Sequence, residues 1–358
     1  MPFKETLAKF QEEVNPLIAR YFDQVITEAK KEDVFVAEAL EAVKDIMMSG
    51  GKRLRAAGMY YGYLAGGGTD RGVMLETSVS VEFIHAFLLI HDDIMDRDSI
   101  RHGVPTIHER YRHLAEKLFP KTDASHFGNS IAIIVGDMVG ALGNDIIFRA
   151  PFPKERVFEA LSQLQKIIAF TVIGQAKDVY FEYRKTATPE EILKMYECKT
   201  AKYTMEGPVH LGLLLAGAKE EMLKKFSAYA IPLGIAFQIQ DDILGLYGSA
   251  DRIGKPRGSD LKEGKMTLLN ALLLDRLSPK ERKDFVVILE KGDVLSDADI
   301  EQVQDWMRES GVLQEVKDRA LSLIREGELA LQSLNGEISE EAYDFFQGIA
   351  EYMMVREV

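Results

Sequence analysis

The 358-residue sequence has a single cysteine, Cys198, so no intrachain disulfide can form, which fits a reducing compartment and a cytoplasmic protein. Net positive charge is also missing. The formal charge is −13, which argues against a general nucleic-acid binder. No stretch approaches about 18 uncharged apolar residues, so neither a transmembrane helix nor a membrane anchor is expected. Residues 1–31 mix charged and apolar side chains and lack an apolar core of signal-peptide type. Alternating runs of strand type, low-complexity linkers and internal repeats are nearly absent. What remains, 46% hydrophobic and 28% charged, is ample for a globular core.

The periodicity is helical almost throughout. Residues 38–48 carry apolar Leu40, Val43, Ile46 and Met47 as an i, i+3, i+6, i+7 stripe. Helix starts are marked at Thr188-Pro189-Glu190-Glu191, where a cap residue, a first-turn proline and two acids coincide; Ser278-Pro279-Lys280-Glu281 and Ser339-Glu340-Glu341 are similar. Breaks fall at Gly66-Gly67-Gly68, Phe119-Pro120-Lys121, Pro151-Phe152-Pro153 and Gly292-Asp293. The expectation is an all-α fold in which residues 1–358 form one helical domain, a single large bundle. Residues 112–125 are expected to form a surface loop or a short extra helix.

Two acidic segments stand out. If residues 81–99 are helical, Asp92 and Asp96 share a face at i, i+4, with His85 two turns earlier on the same side. Carboxylates one turn apart repel. They belong either on a solvated face or around a divalent cation, and hard carboxylate oxygens suit Mg²⁺, which fills its other positions with water and substrate phosphates. Asp241-Asp242 likewise follows an apolar run, residues 231–237. One such acidic helix end could be solvated surface; two, each opening with adjacent aspartates after a buried run, argue for a paired metal site that clamps a polyanion. The cations lie nearby in sequence: Lys52 and Arg55 in Gly50-Gly51-Lys52-Arg53-Leu54-Arg55, then Arg101-His102-Gly103, Lys199-Thr200, and Lys255 and Lys265 flanking Gly258-Ser259-Asp260. Arginine can fork onto a phosphate and lysine can supply a point charge.

In this order the segments resemble the trans-isoprenyl diphosphate synthase (polyprenyl synthetase) family, and within it the archaeal-type geranylgeranyl diphosphate synthases. The resemblance runs from about residue 40 to 270. It is carried by Gly-Gly-Lys-Arg-x-Arg at 50–55, Phe-Ile-His at 83–85, His-Asp-Asp-x-x-Asp at 91–96 and Arg-x-Gly-x-Pro-Thr at 101–106. Further along come Gly136-Asp137, Gly174-Gln175-x-x-Asp178, Lys199-Thr200-Ala201, Phe-Gln-x-x-Asp-Asp at 237–242, and Gly-Lys-Pro-x-Gly-Ser-Asp-x-x-Glu-Gly-Lys at 254–265.

The resemblance implies a helical bundle of the isoprenoid synthase type around a central elongation cavity, and condensation of an allylic diphosphate with isopentenyl diphosphate. It further implies three Mg²⁺ ions bridging the allylic diphosphate to the aspartates, and a homodimer with a site in each subunit. Asp92, Asp96 and Asp241 match the principal ligands, with Asp93 and Asp242 beside them. Lys199, Lys255 and Arg101 match residues that hold the allylic diphosphate, and Lys265 adds charge there. Lys52, Arg55 and His85 match the isopentenyl diphosphate pocket. Thr200 and Gln238 match polar residues near the carbocation and, with Lys199, make up the catalytic set.

Two departures stand out. Where the family has a pair of arginines this chain has Arg101-His102, and histidine is a weaker, pH-dependent anion ligand. Gly245 stands where a complete second motif has a third aspartate. Product length in this family is set by side chains below the first motif. Phe87 lies about 7.5 Å and Ile84 about 12 Å down the helix from Asp92, and Leu88 is not aromatic. That combination leads to an expected C20 product, with C15 and then C25 as alternatives, unless Phe87 is merely core. Among rival readings, a class I terpene cyclase needs an Asn/Asp-x-x-Ser/Thr-x-x-x-Glu motif where Asp241-Asp242 stands. A phosphohydrolase built on His85 and His91-Asp92 leaves the second motif unexplained. A non-catalytic prenyltransferase subunit would have lost the aspartates.

Overall fold

The computed structural model describes residues 3–248 and 257–354. Helices α1 (Phe3–Glu32) and α2 (Val34–Met48) pack together, joined at Asp33, whose side chain accepts the Val36 N–H and caps α2. After α3 (Leu54–Ala65) comes the long α4 (Arg71–Asp96). A two-residue-per-strand hairpin, β1 (Ile100–Arg101) with β2 (Val104–Pro105), leads into α5 (Ile107–Leu118), α6 (Ala124–Phe148), α7 (Lys154–Arg184) and α8 (Pro189–Tyr196). A π-helical segment (Glu197–Glu206) runs into α9 (Gly207–Ala216), and α10 (Glu220–Tyr247) follows. The rest comprises α11 (Ser259–Lys262), α12 (Leu268–Arg276), α13 (Pro279–Leu289), a 3₁₀ turn (Gly292–Val294), α14 (Asp297–Glu309), α15 (Val312–Gln332) and α16 (Glu340–Met354). The fold is all-α, as the periodicity predicts.

Two boundaries differ from the sequence reading. Helix α4 ends at Asp96, because Arg97 takes a left-handed conformation with φ of 57°. Residues 112–118 belong to α5, so only the short stretch before Ala124 is loop. The apolar content of single helices was also underestimated. By length and composition α4, α6 and α7 are each apolar enough to cross a membrane, with mean hydropathies of 1.7, 1.7 and 1.2. In α4 61% of that apolar window is buried inside the bundle, against 39% in α6 and 33% in α7.

The centre is made by α4 and α10. In both, a largely buried apolar run precedes the aspartates, residues 83–90 before Asp92 in α4 and residues 231–237 before Asp241 in α10, so burial of that run fixes where the acids emerge. Phe83 of α4 stacks on Phe22 at 4.4 Å between ring centroids and meets Tyr21 edge-on at 5.0 Å. Burying one such ring contributes about 1.5–3 kcal/mol. Helix α4 packs along α6, and α10 packs along α15 and the π-helical segment.

One buried ion pair sets the approach to the cavity. Arg53 and Glu82 are both sealed from solvent, with Nη1 to Oε2 at 3.4 Å. Arg53 also donates to Asn15 Oδ1 at 2.8 Å and to the Met47 carbonyl, and Glu82 accepts the Ala56 N–H at 3.1 Å. Three helices, α1, α2 and α4, therefore meet the guanidinium, and Glu82 ties in α3 through Ala56. With Arg53 turned inward, its neighbours Lys52 and Arg55 both line the large cavity.

Candidate active site

A cavity of about 830 Å³ opens between the ends of α4 and α10. Asp92, Asp93 and Asp96 line it from α4, and Asp241 and Asp242 from α10. Lys52, Arg55, His85, Arg101, His102, Lys199, Gln238 and Lys265 line it too. Of the residues expected to bind diphosphate or metal, the structure thus brings together all but Lys255, which lies outside the described residues.

Each cation at the acidic end already holds a carboxylate. Lys265 Nζ sits 2.6 Å from Asp96 Oδ2 and 2.7 Å from Glu263 Oε2. Lys199 Nζ is 2.6 Å from Asp178 Oδ2 and 3.8 Å from Asp92 Oδ1. Arg101 Nε donates to Asp93 Oδ1 at 2.6 Å, and its Nη2 lies 3.1 Å from Asp98 Oδ2. Burial disfavours the ammonium groups of Lys199 and Lys265, but these carboxylates hold both above the ordinary lysine value. Burial pushes the Asp93 carboxyl up to about 7 in spite of Arg101. Burial, and then the adjacent Asp260 carboxylate, hold Asp242 well above the usual range.

Lys199 and Thr200 sit in the π-helical segment, whose wider turn is a frequent feature of functional sites. Two glycines allow its close packing: a Cβ on Gly174 would come within 2.4 Å of the Lys199 N, and one on Gly234 within 2.4 Å of the Ala201 Cα. Thr200 does not line the cavity. Its hydroxyl donates to Gln238 Oε1 at 2.7 Å, and Gln238 Nε2 donates to Asp242 Oδ1 at 2.8 Å. Thr200 therefore orients Gln238 from behind. On the far side of Asp242, the Tyr196 hydroxyl donates to Oδ2 and accepts the Leu268 N–H at 2.8 Å.

The other end of the cavity is basic. Arg55 donates to Thr204 Oγ1 at 2.8 Å and lies over the Tyr203 ring, 4.6 Å from its centroid, leaving its buried Nε without a partner. Lys52 Nζ is 3.3 Å from the Tyr352 hydroxyl. His102 and Gly103 occupy the hairpin turn with φ of 50° and 81°, a turn geometry suited to a two-residue hairpin. Burial first, then Arg101 and Arg53, lower the His102 pKa; burial, Arg55 and Arg101 hold His85 well below the usual histidine value. Both imidazoles are neutral near pH 7, and the buried His85 Nδ1 has no partner.

The chain-length candidates lie on a different face of α4. Phe87 packs over Gly140 of α6, where a Cβ would come within 3.1 Å of the ring, and Ile84 packs over Gly143, with a corresponding distance of 2.9 Å. Leu88 is partly buried against the core. None of the three lines the 830 Å³ cavity; Phe87 and Ile84 fill the groove between α4 and α6.

Sequence reasoning assigned no role to Asp178, Tyr196, Glu82, Tyr352 or Asp260. Asp178 and Asp260 stand inside quoted motifs, and that placement was the available signal. Asp260 also bears on the missing third aspartate. An ideal Cβ on Gly245 would lie 2.7 Å from Asp260 Oδ2, and the Gly258 N–H donates to the Gly245 carbonyl at 2.9 Å. The carboxylate of Asp260 thus occupies the space next to Gly245.

The donor set fits divalent ions of one particular kind. Among the described residues no three His, Cys, Asp or Glu side chains converge closely enough to hold an ion unaided. Mg²⁺ commonly takes one or two carboxylates and completes its shell with water and phosphate oxygens. Pairs of carboxylates facing one cavity suit an ion that arrives with a diphosphate, and Asp92, Asp96 and Asp241 all line that cavity.

A family model described as polyprenyl synthetase matches residues 36–307. The geranylgeranyl diphosphate synthase of Methanosarcina mazei is 34% identical over 323 residues, 89% of this chain and 90% of that protein. The geranylfarnesyl diphosphate synthase of Natronomonas pharaonis is 33% identical over 287 residues, 80% of this chain and 76% of that protein. Among solved structures, the geranylgeranyl pyrophosphate synthase from Corynebacterium glutamicum, complexed with isoprenyl diphosphate and magnesium, superposes with a TM-score of 0.90 at 30% identity, covering 98% of this chain and 99% of that one.

The contact at Gly245 yields a measurable coupling. Gly245→Asp places a carboxylate against Asp260 and is expected to cost about 1–3 kcal/mol in urea unfolding. Combining it with Asp260→Gly is expected to recover most of that loss. Equal stability of Gly245→Asp and wild type, with no coupling in the double variant, would mean that Asp260 does not fill this space.

Proposed function

The chain belongs to the polyprenyl synthetase family and is a short-chain trans-prenyltransferase; on that premise we propose that it condenses an allylic diphosphate with isopentenyl diphosphate and stops chiefly at geranylgeranyl diphosphate (C20). One observation carries the reading. Both aspartate motifs and two separate groups of cations line a single cavity, acidic at one end and basic at the other. Two diphosphates can be held there in different ways, one through metal ions and one by direct ion pairing.

In this reading Asp92, Asp96 and Asp241 hold divalent ions, three Mg²⁺ per site, with Asp93 and Asp242 beside them. When bound, the ions neutralise the negative charge that grows on the leaving diphosphate as the allylic C–O bond breaks. Lys199, Arg101 and Lys265 exchange their carboxylate partners for diphosphate oxygens, and Lys255 is assigned to the same group. Gln238, oriented by Thr200, presents its amide to the allylic cation. Lys52, Arg55, His85 and His102 hold isopentenyl diphosphate, whose double bond attacks C1 of the cation. Loss of a proton to the released pyrophosphate then forms the new double bond. Leu89, Ile90 and Met47 give the cavity apolar wall that keeps water from the cation.

Length control is assigned to Phe87, Ile84 and Leu88. The first two lie on α4 below Asp92, packed against Gly140 and Gly143 of α6, so the cavity would deepen there only if these side chains were cut back. A second copy of the chain is the proposed partner. The large apolar residues Ile134, Phe148, Phe158, Val172 and Ile173 of α6 and α7 are each about half exposed or more, which supports a protein interface on this side of the bundle.

Two measurements test these points. Purified protein given labelled isopentenyl diphosphate, each allylic primer and Mg²⁺ is expected to make a C20 product, and Phe87→Ala a longer one. No turnover with any primer would overturn the enzyme reading, and an unchanged product from Phe87→Ala would remove it as the stop. For the partner, light scattering on protein extracted without detergent is expected to give twice the chain mass, and Ile134→Glu with Val172→Glu a lower mass. A monomeric wild type would contradict the proposed homodimer, and recovery only in the membrane fraction would contradict the proposed cytoplasmic location.

A further inference from the structure

The basic end of the cavity holds two residues whose roles are still open. The first turns of α1 form part of the wall through Phe3, Lys4, Leu7, Ala8 and Gln11, and the last two turns of α16 contribute Ile349, Tyr352 and Met353. These turns are pinned together. Phe3 packs its ring 5.6 Å from both Phe345 and Tyr352, and a Cβ on Gly348 would come within 2.7 Å of the Phe3 Cβ. Gln11 Nε2 donates to the Gly51 carbonyl at 2.9 Å, which ties α1 to the glycine loop. Lys4 is therefore held at the mouth of the cavity although its side chain is exposed.

Tyr352 stands between two cations. Lys4 Nζ lies 5.6 Å and Lys52 Nζ 5.5 Å from the centroid of its ring, and Lys52 also reaches the hydroxyl. Neither lysine pairs with a carboxylate among the described residues, although the chain carries 57 acidic residues against 44 basic ones. Arg101, Lys199 and Lys265, at the acidic end, are all paired. Like charges gathered on one ring repel, and an anion between them relieves the repulsion. His102, neutral near pH 7, does not supply the charge expected at its position.

We propose that Lys4 and Tyr352 complete the isopentenyl diphosphate pocket: Lys4 supplies the cation that His102 does not, and Tyr352 positions Lys52. The inference rests on the prenyltransferase reading above. Lys4 is a binding residue, in contact with diphosphate oxygens. Tyr352 acts through Lys52, its hydroxyl fixing the ammonium while its ring face favours both cations.

Calorimetry with isopentenyl diphosphate alone reads binding without turnover, and steady-state kinetics read the KM of each substrate. Lys4→Gln is expected to weaken isopentenyl diphosphate binding and raise its KM by about 3–10-fold, with kcat and the allylic KM within about twofold. Tyr352→Phe is expected to give a smaller rise in the same KM alone, and Tyr352→Ala a larger one. Adding His102→Arg to Lys4→Gln is expected to restore most of the loss, whereas Lys9→Gln, on the same helix but lining another cavity, changes neither KM. Wild-type binding by Lys4→Gln, equal weakening of both substrates, or no recovery with His102→Arg would each overturn the proposal. A wild-type chain that neither binds nor consumes isopentenyl diphosphate would overturn the prenyltransferase reading, and the pocket with it.

Discussion

Mutual repulsion among carboxylates governs this molecule. Asp92, Asp93, Asp96, Asp178, Asp241, Asp242 and Asp260 all line one cavity in a chain of net charge −13. Such a cluster persists only if positive charge is built in beside it. Lys265 on Asp96, Lys199 on Asp178 and Arg101 on Asp93 provide that charge, each within 2.6 Å. The arrangement is stable without substrate and also ready to be exchanged. A diphosphate with its ions can take over the ammonium and guanidinium groups while the carboxylates turn to metal. In the proposed reaction these contacts would be exchanged for ones that stabilise the leaving group.

The helices deliver this arrangement because in α4 and α10 a largely buried apolar run comes just before the aspartates. Burial of Phe83, Ile84 and Ile90 on one, and of Leu233, Ala236 and Ile239 on the other, fixes where both chains of acids emerge. The opposite end of the cavity has a different logic. There Arg53 is held by Glu82, and Lys52 and Arg55 reach the cavity without carboxylate partners among the described residues. One cavity therefore has an acidic end, which the proposed reaction would use for a metal-bound diphosphate, and a basic end, which it would use for a bare one. That division is what a reaction between two diphosphates requires if only one of them is to ionise.

Much of this was legible in the sequence. Helical periodicity gave the fold class, and the spacing Asp92 to Asp96 placed two carboxylates on one face before any coordinates. Long-range pairings were not legible. Nothing local says that Arg53 faces inward while Lys52 does not, since that depends on Glu82, far along the chain. The mean apolar content of α6 and α7 was hidden because scattered charged residues interrupt each run, and only 39% and 33% of their apolar windows are buried. Asp260 could not be linked to Gly245 from sequence either. Its carboxylate reaches the glycine only because the intervening loop returns to α10, where the Gly258 N–H meets the Gly245 carbonyl.

The central claim is that diphosphate and divalent ions enter this cavity together, each completing the other's coordination. Calorimetry with inorganic pyrophosphate and Mg²⁺ tests it without any turnover. The account predicts weak binding of Mg²⁺ alone and of pyrophosphate in a chelator, and binding at least about tenfold tighter when both are present. Asp92→Asn with Asp241→Asn is expected to abolish that gain. Equal pyrophosphate binding with and without Mg²⁺, or a gain that survives the double substitution, would contradict the account.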